Sequence, residues 1–228
     1  MRYRATVIGL IILFGAFTIK GKNRDFLGGG NDLIVWNKDY KLKWDDFQGQ
    51  GDTAKVIGAA STCSINYNHI PIRGEDSLKI LVEAVFLKKD SPKIMWRLEA
   101  SNFVVQALQH EQIHFDITEV YARKFRKIIF AFISRAKRKN SAWLLYKLSP
   151  IYFKIQVECQ NEQKEFDKAV SFVDTPGEKS TGFATVGDYA IVKEKQEKWR
   201  QKVDKELNEL YSYVQTSFTI KVKKNTAM

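Results

Sequence analysis

The sequence predicts an α+β fold in one domain, with an antiparallel sheet region followed by three long helices. Residues 33–100 contain short segments rich in β-branched and aromatic residues, which is typical of strands. From about residue 99 onward, apolar residues recur at helical spacing. The chain of 228 residues is long enough to form one sizeable core. Its composition, with 44% hydrophobic and 28% charged residues, excludes a disordered or fibrous chain.

Three segments of the sheet region are predicted strands. Residues 33–36 form a short apolar run, residues 65–68 alternate as a half-buried strand does, and residues 79–86 are rich in β-branched and aromatic side chains. The turn residues Asp90, Ser91 and Pro92 close this region.

The helical region divides at its basic and proline residues. A basic run at 135–139 ends the first helix, where positive charge suits the helix dipole. Pro150 precedes a second helix predicted at about 151–171, and a third is predicted at about 190–214. A loop with two of its glycines at Gly177 and Gly182 separates these two helices.

The N-terminus predicts export. Arg2 and Arg4 precede fifteen uncharged, mostly apolar residues, which is shorter than the roughly 20 that a membrane span needs. Residues 1–20 are therefore predicted to be a signal peptide or an uncleaved N-terminal anchor, and the protein to be periplasmic or secreted. A linker at 21–31 and a single domain at 32–228 follow.

The charge balance restricts the class of partner. Lys and Arg number 37 against 26 Asp and Glu, which gives a net charge of +11. A basic chain favours acidic envelope polymers or an anionic lipid surface. Because export is predicted and no nucleic-acid-binding motif is present, nucleic acid is not an expected partner.

The first long helix carries an HExxH motif from His110 to His114. Its two histidines are one helical turn apart, so they share a face and can bind one Zn²⁺. Glu111 is predicted to be the general base for a metal-activated water. Asp116 is a candidate for orienting a ligand imidazole, with a solvated helix position as the alternative.

The motif lies in a stretch that resembles the HExxH helix of a family of exported bacterial zincin-like metallopeptidases, a domain of unknown function. The resemblance rests on residues 110–119 and 121–124. Residues 42–49 are similar to the family's Trp-x-Asp-Phe segment, residues 60–67 to its next strand, and residues 193–199 to its final helix. It implies a zincin-like fold and a zinc peptidase over about residues 33 to 214.

The chain departs from this family at the third metal ligand. The family commonly has a Tyr-Asp-x-x-Thr-x-His stretch before its final helix, whereas this chain has no histidine after His114. A third histidine would have to be His69. Otherwise the ligand is an acid or a tyrosine, with an acid favoured, because zinc accepts carboxylate oxygen readily. The candidates are Asp167, Asp174, Asp188 and Tyr189. Asp167 follows Phe166, and this aromatic–acid pair is similar to the one in the family.

The two cysteines form an even pair. In an exported chain, Cys63 and Cys159 are candidates for one disulfide.

The function that these observations predict is an exported zinc-dependent peptidase acting on a peptide or protein substrate. One alternative is a catalytically weak metal-binding relative that serves as a cell-envelope binding or structural module. A further alternative is a basic envelope-binding module in which the histidines bind no metal.

Overall fold

The structure is a computed structural model that describes residues 32–50, 58–73, 76–95, 104–135, 140–170 and 186–222. For residues 135 and 186–190 it describes the backbone alone. The predicted signal or anchor segment at 1–20 and the linker at 21–31 lie outside these ranges.

Within the described residues the sheet consists of four antiparallel strands, which confirms the α+β class. They are β1 (Leu33–Val35), β2 (Cys63–Pro71), β3 (Ser77–Leu87) and β4 (Ser217–Lys221). β3 is the centre of the sheet and pairs with the other three strands. β2 runs along most of one edge of β3. The strands β1 and β4 therefore pair with the other edge of β3, β4 near its start and β1 near its end.

The central strand explains where the core lies. Alternate residues of β3 face one side, and five of them are buried in the main core: Leu78, Ile80, Val82, Ala84 and Phe86. Ile65 of β2 and Ile220 of β4 belong to the same core. This apolar face of the sheet is the surface against which the helices pack.

Three long helices follow β3 in the described chain: α1 (Val104–Arg135), α2 (Ser141–Val170) and α3 (Val186–Glu209). α1 contacts the sheet as well as α2 and α3. Residues 111–123 of α1 are all buried, so this stretch of the helix is enclosed on every side. No helix in the described part of the chain has the length and apolar character needed to cross a lipid bilayer.

The predicted start of the second helix is wrong by ten residues. α2 begins at Ser141, where the side chain of Asn140 caps the helix by accepting a hydrogen bond from the backbone N–H of Trp143 at 2.8 Å. Pro150 lies inside α2 at an exposed position. Proline has no N–H to donate to the carbonyl group four residues earlier in the helix. That carbonyl belongs to Tyr146, which is itself exposed.

Two buried arginines of α1 attach the C-terminal end of α3 and the chain beyond it. Arg123 donates to the carbonyl of Leu207 at 2.7 Å, and Arg126 donates to the carbonyl of Tyr213 at 2.7 Å. Both arginines also form ion pairs with buried Glu119. These contacts fix the chain that enters β4. They involve α1 from Glu119 onward, whereas the HExxH motif lies nearer to the start of this helix.

Candidate metal centre

The HExxH motif lies within α1, and its two imidazoles converge. The Nε2 atoms of His110 and His114 are 3.0 Å apart, and the ring centroids are 4.7 Å apart. This arrangement follows from the spacing, because residues four apart lie above one another on an α-helix.

Asp167 of α2 brings a carboxylate to the same point. Its Oδ1 atom lies 3.1 Å from Nε2 of His110 and 2.9 Å from Nε2 of His114. The three atoms thus form a nearly equilateral triangle. Tetrahedral zinc with ligands at about 2.0–2.1 Å separates its ligand atoms by about 3.3 Å, so this donor set fits one face of a zinc polyhedron. It is the single cluster of three such groups among the described residues.

His114 and Asp167 stabilise each other's charged forms. Burial alone would raise the pKa of Asp167, but hydrogen bonds and charge from both histidines outweigh burial and hold that pKa well below its ordinary value. Burial would lower the pKa of His114, yet the contacts with Asp167, the negative charge of Glu111 and the amide of Gln163 raise it overall. The site therefore stabilises positive charge at the point where the three ligand atoms meet.

An aromatic wall holds the imidazoles in place. Phe166, which immediately precedes Asp167, is fully buried and stacks on His110 with a centroid distance of 4.5 Å and an interplanar angle of 27°. Its ring meets His114 edge-on at 5.0 Å, and Trp199 of α3 packs against it at 5.4 Å. All three helices therefore contribute to the position of the cluster.

Glu111 is buried between α1 and the residues that lead into β2. Its Oε2 atom accepts a hydrogen bond from the backbone N–H of Ser61 at 2.7 Å. Glu111 is thus held through Oε2 by the segment that leads into β2.

Asp116 does not orient either histidine. Its buried carboxylate accepts hydrogen bonds from Trp36 Nε1 at 2.6 Å and Gln112 Nε2 at 3.0 Å, and it pairs with Arg200. The physical reason is rotation, because two residues on an α-helix turn through about 200° and so place Asp116 on the far side from His114. The sequence prediction of a ligand-orienting role for Asp116 is wrong.

Gln163, which was not among the predicted site residues, contacts the ring of His114 instead. Its Oε1 atom lies 2.7 Å from Nδ1 of His114. Gln163 precedes Asp167 by one helical turn on α2. That i, i+4 spacing of a hydrogen-bonding residue and an acid is the signal that could have found it.

The remaining predicted site residues lie elsewhere. Asp174 lies outside the described residues, as do the side chains of Asp188 and Tyr189. His69 is on β2 opposite Ile80 and belongs to no metal-ligating cluster in the described chain.

Cys63 and Cys159 are buried free thiols, so the predicted disulfide is not formed in the structure. Burial raises the pKa of the Cys63 thiol well above its ordinary value and that of Cys159 to about 11.

Comparisons with protein-family models, with curated proteins and with solved structures find no match for this chain. The resemblance to the zincin-like family stays a prediction. The functional assignment therefore depends on the geometry of His110, His114, Asp167 and Glu111.

Proposed function

We propose that this protein is an exported zinc-dependent peptidase with a zincin-like fold, in which His110, His114 and Asp167 hold the metal. The observation that carries the proposal is the convergence of three ligand atoms at 2.9–3.1 Å from one another, with Glu111 beside the first histidine in the same helix.

The donor set favours zinc in a catalytic rather than a structural site. Two imidazole nitrogens and one carboxylate oxygen are typical of catalytic zinc centres, which keep a fourth position for water or substrate. Structural zinc sites usually close all four positions with protein ligands. Bound zinc supplies a water of lowered pKa and a Lewis acid that polarises the scissile carbonyl.

The chain's own residues supply the remaining chemistry. Ser61 holds one oxygen of the Glu111 carboxylate, and this carboxylate takes a proton from the attacking water and returns it to the leaving amine. Asp167 keeps its charge at neutral pH because the two histidines lower its pKa. Phe166, which packs against Trp199, covers one face of the His110 imidazole.

The substrate class is a peptide or protein. The net charge of +11 supports acidic envelope polymers or an anionic lipid surface as additional contacts of the exported protein.

The test is hydrolysis of a defined peptide mixture by the zinc-loaded protein, followed by mass spectrometry. Glu111→Gln keeps the size of the side chain but does not accept a proton at neutral pH. We expect it to retain zinc while hydrolysis falls by about 10²–10⁴-fold. Glu197→Gln, which changes an exposed glutamate of α3, is the matched control and should leave hydrolysis unchanged.

Two results would overturn the enzyme assignment. If the zinc-loaded protein cleaves none of the peptides, the site belongs to a metal-binding relative without catalysis. If Glu111→Gln is as active as the wild type, Glu111 is not the base.

A further inference from the structure

The imidazole of His114 is held at both of its nitrogens. Nε2 faces the cluster, 2.9 Å from Oδ1 of Asp167, whereas Nδ1 faces the amide of Gln163, 2.7 Å from Oε1. A neutral imidazole carries one proton, so the group that accepts from Nδ1 decides whether Nε2 keeps its lone pair.

The hydrogen-bond network fixes which end of the Gln163 amide faces His114. The hydroxyl of Thr118 donates to the backbone carbonyl of His114 at 2.9 Å, so its oxygen is left to accept. Gln163 Nε2 donates to that oxygen at 3.1 Å and lies 3.7 Å from the sulfur of Cys159. With the amide nitrogen committed to Thr118, the amide oxygen must face His114.

We infer that Gln163 is a positioning residue for the metal centre: its amide oxygen holds the Nδ1–H tautomer of His114 and so presents the Nε2 lone pair to the metal. This inference rests on the proposed zinc site. It adds the group that orients one ligand, a role that the sequence pattern assigned to Asp116.

The geometry also gives α2 two roles at the metal centre. Gln163 and Asp167 are one helical turn apart, so one face of α2 supplies both a metal ligand and the partner of a ligand on α1. Docking α2 against α1 therefore sets the third ligand and the tautomer of His114 together.

The first test is the zinc dissociation constant, measured by competition with a chromophoric chelator. Gln163→Met removes the acceptor while keeping the length of the side chain, and we expect zinc affinity to fall by about 10–100-fold. Gln156→Met is the matched control. Gln156 lies on the same helix, but its amide donates to the carbonyl of Ile65 and to the hydroxyl of Tyr152, so zinc affinity should stay within about twofold.

A second variant separates positioning from packing. Gln163→Glu keeps an acceptor oxygen at the same place, and we expect it to restore zinc affinity to within about threefold of the wild type. If Gln163→Glu binds zinc as poorly as Gln163→Met, the acceptor oxygen does not account for the loss and the inference is wrong.

The tautomer can be read without any substitution. Nitrogen-15 NMR of the zinc-loaded wild type should show the proton of His114 on Nδ1, whereas a proton on Nε2 would overturn the inference.

Failure of the inference about Gln163 and failure of the proposed metal centre are distinguishable. If the wild type binds no zinc, the metal centre itself is ruled out. If the wild type and the Gln163→Met variant bind zinc equally well, only the role of Gln163 is ruled out.

Discussion

Asp167 and His114 meet across two helices, with Oδ1 of the carboxylate 2.9 Å from Nε2 of the imidazole. If Asp167 is the third ligand, Asp167→Ala should lower zinc affinity by more than the roughly 10–100-fold that losing an outer hydrogen-bond partner costs. Competition with a chelator measures this. Asp204→Ala, which removes an exposed aspartate of α3, should leave zinc affinity unchanged.

An Asp167→Ala protein that binds zinc like the wild type would contradict this assignment. The same titration on Asp174→Ala, Asp188→Ala and Tyr189→Phe would then identify the third ligand among the other candidates.

Asp116 has a structural role that predicts a stability effect. Its buried carboxylate partners Trp36 Nε1 and Arg200, and Arg200 also pairs with Asp204, which is 57% exposed. Asp116→Ala leaves Trp36 Nε1 and Gln112 Nε2 without this acceptor and leaves Arg200 with exposed Asp204 alone, so it should lower the free energy of unfolding by about 1.5–3 kcal/mol. Asp204→Ala keeps the buried contact of the same arginine and should cost less than about 1 kcal/mol.

Urea unfolding of both variants measures the difference. Equal losses of stability in Asp116→Ala and Asp204→Ala would show that the buried network contributes nothing beyond an exposed ion pair.

The buried cysteines predict slow thiol chemistry. Burial raises the pKa of Cys159 to about 11, so at pH 8 only about a thousandth of it is thiolate. Alkylation of the folded protein should be slow and should quicken by about tenfold per pH unit between pH 7 and 10, since the thiolate is the reactive form.

Mass spectrometry of the alkylated protein checks this, with urea-unfolded protein as the control in which both thiols react. Fast labelling of the folded protein would contradict the buried state of the thiols. Protein without reactive thiols after unfolding would instead establish the disulfide that the sequence predicts between Cys63 and Cys159.

Export is testable independently of the metal. Residues 1–30 fused to a reporter that works only after translocation should give signal, because two arginines precede an uncharged apolar stretch. The same fusion with Leu10→Arg and Leu13→Arg should be silent. A silent wild-type fusion would remove the export prediction.

The sequence was sufficient for features that depend on local spacing. Residues four apart on a helix share a face wherever the helix lies, so the convergence of His110 and His114 follows from the motif. The pattern at residues 79–86 likewise predicted a strand, since a run rich in β-branched and aromatic residues is typical of one, and its central place in the sheet is shown by the structure alone.

Features that depend on distant contacts could not be predicted with the same certainty. β4 pairs with β3 across more than 130 residues, and no periodicity within Ser217–Lys221 indicates its partner. Asp167 was one of four candidates, because the docking of α2 on α1 decides which acid reaches the histidines. Pro150 suggested a helix start, but the cap at Asn140 allows the helix to begin earlier.

The central claim is that His110, His114 and Asp167 hold one zinc ion. The most direct test is the zinc content per chain after dialysis of zinc-loaded protein against metal-free buffer, measured by inductively coupled plasma mass spectrometry. The account predicts close to one zinc in the wild type and close to none when His110 and His114 are both replaced by Ala. A wild type that retains no zinc, or a double variant that retains as much as the wild type, would contradict it.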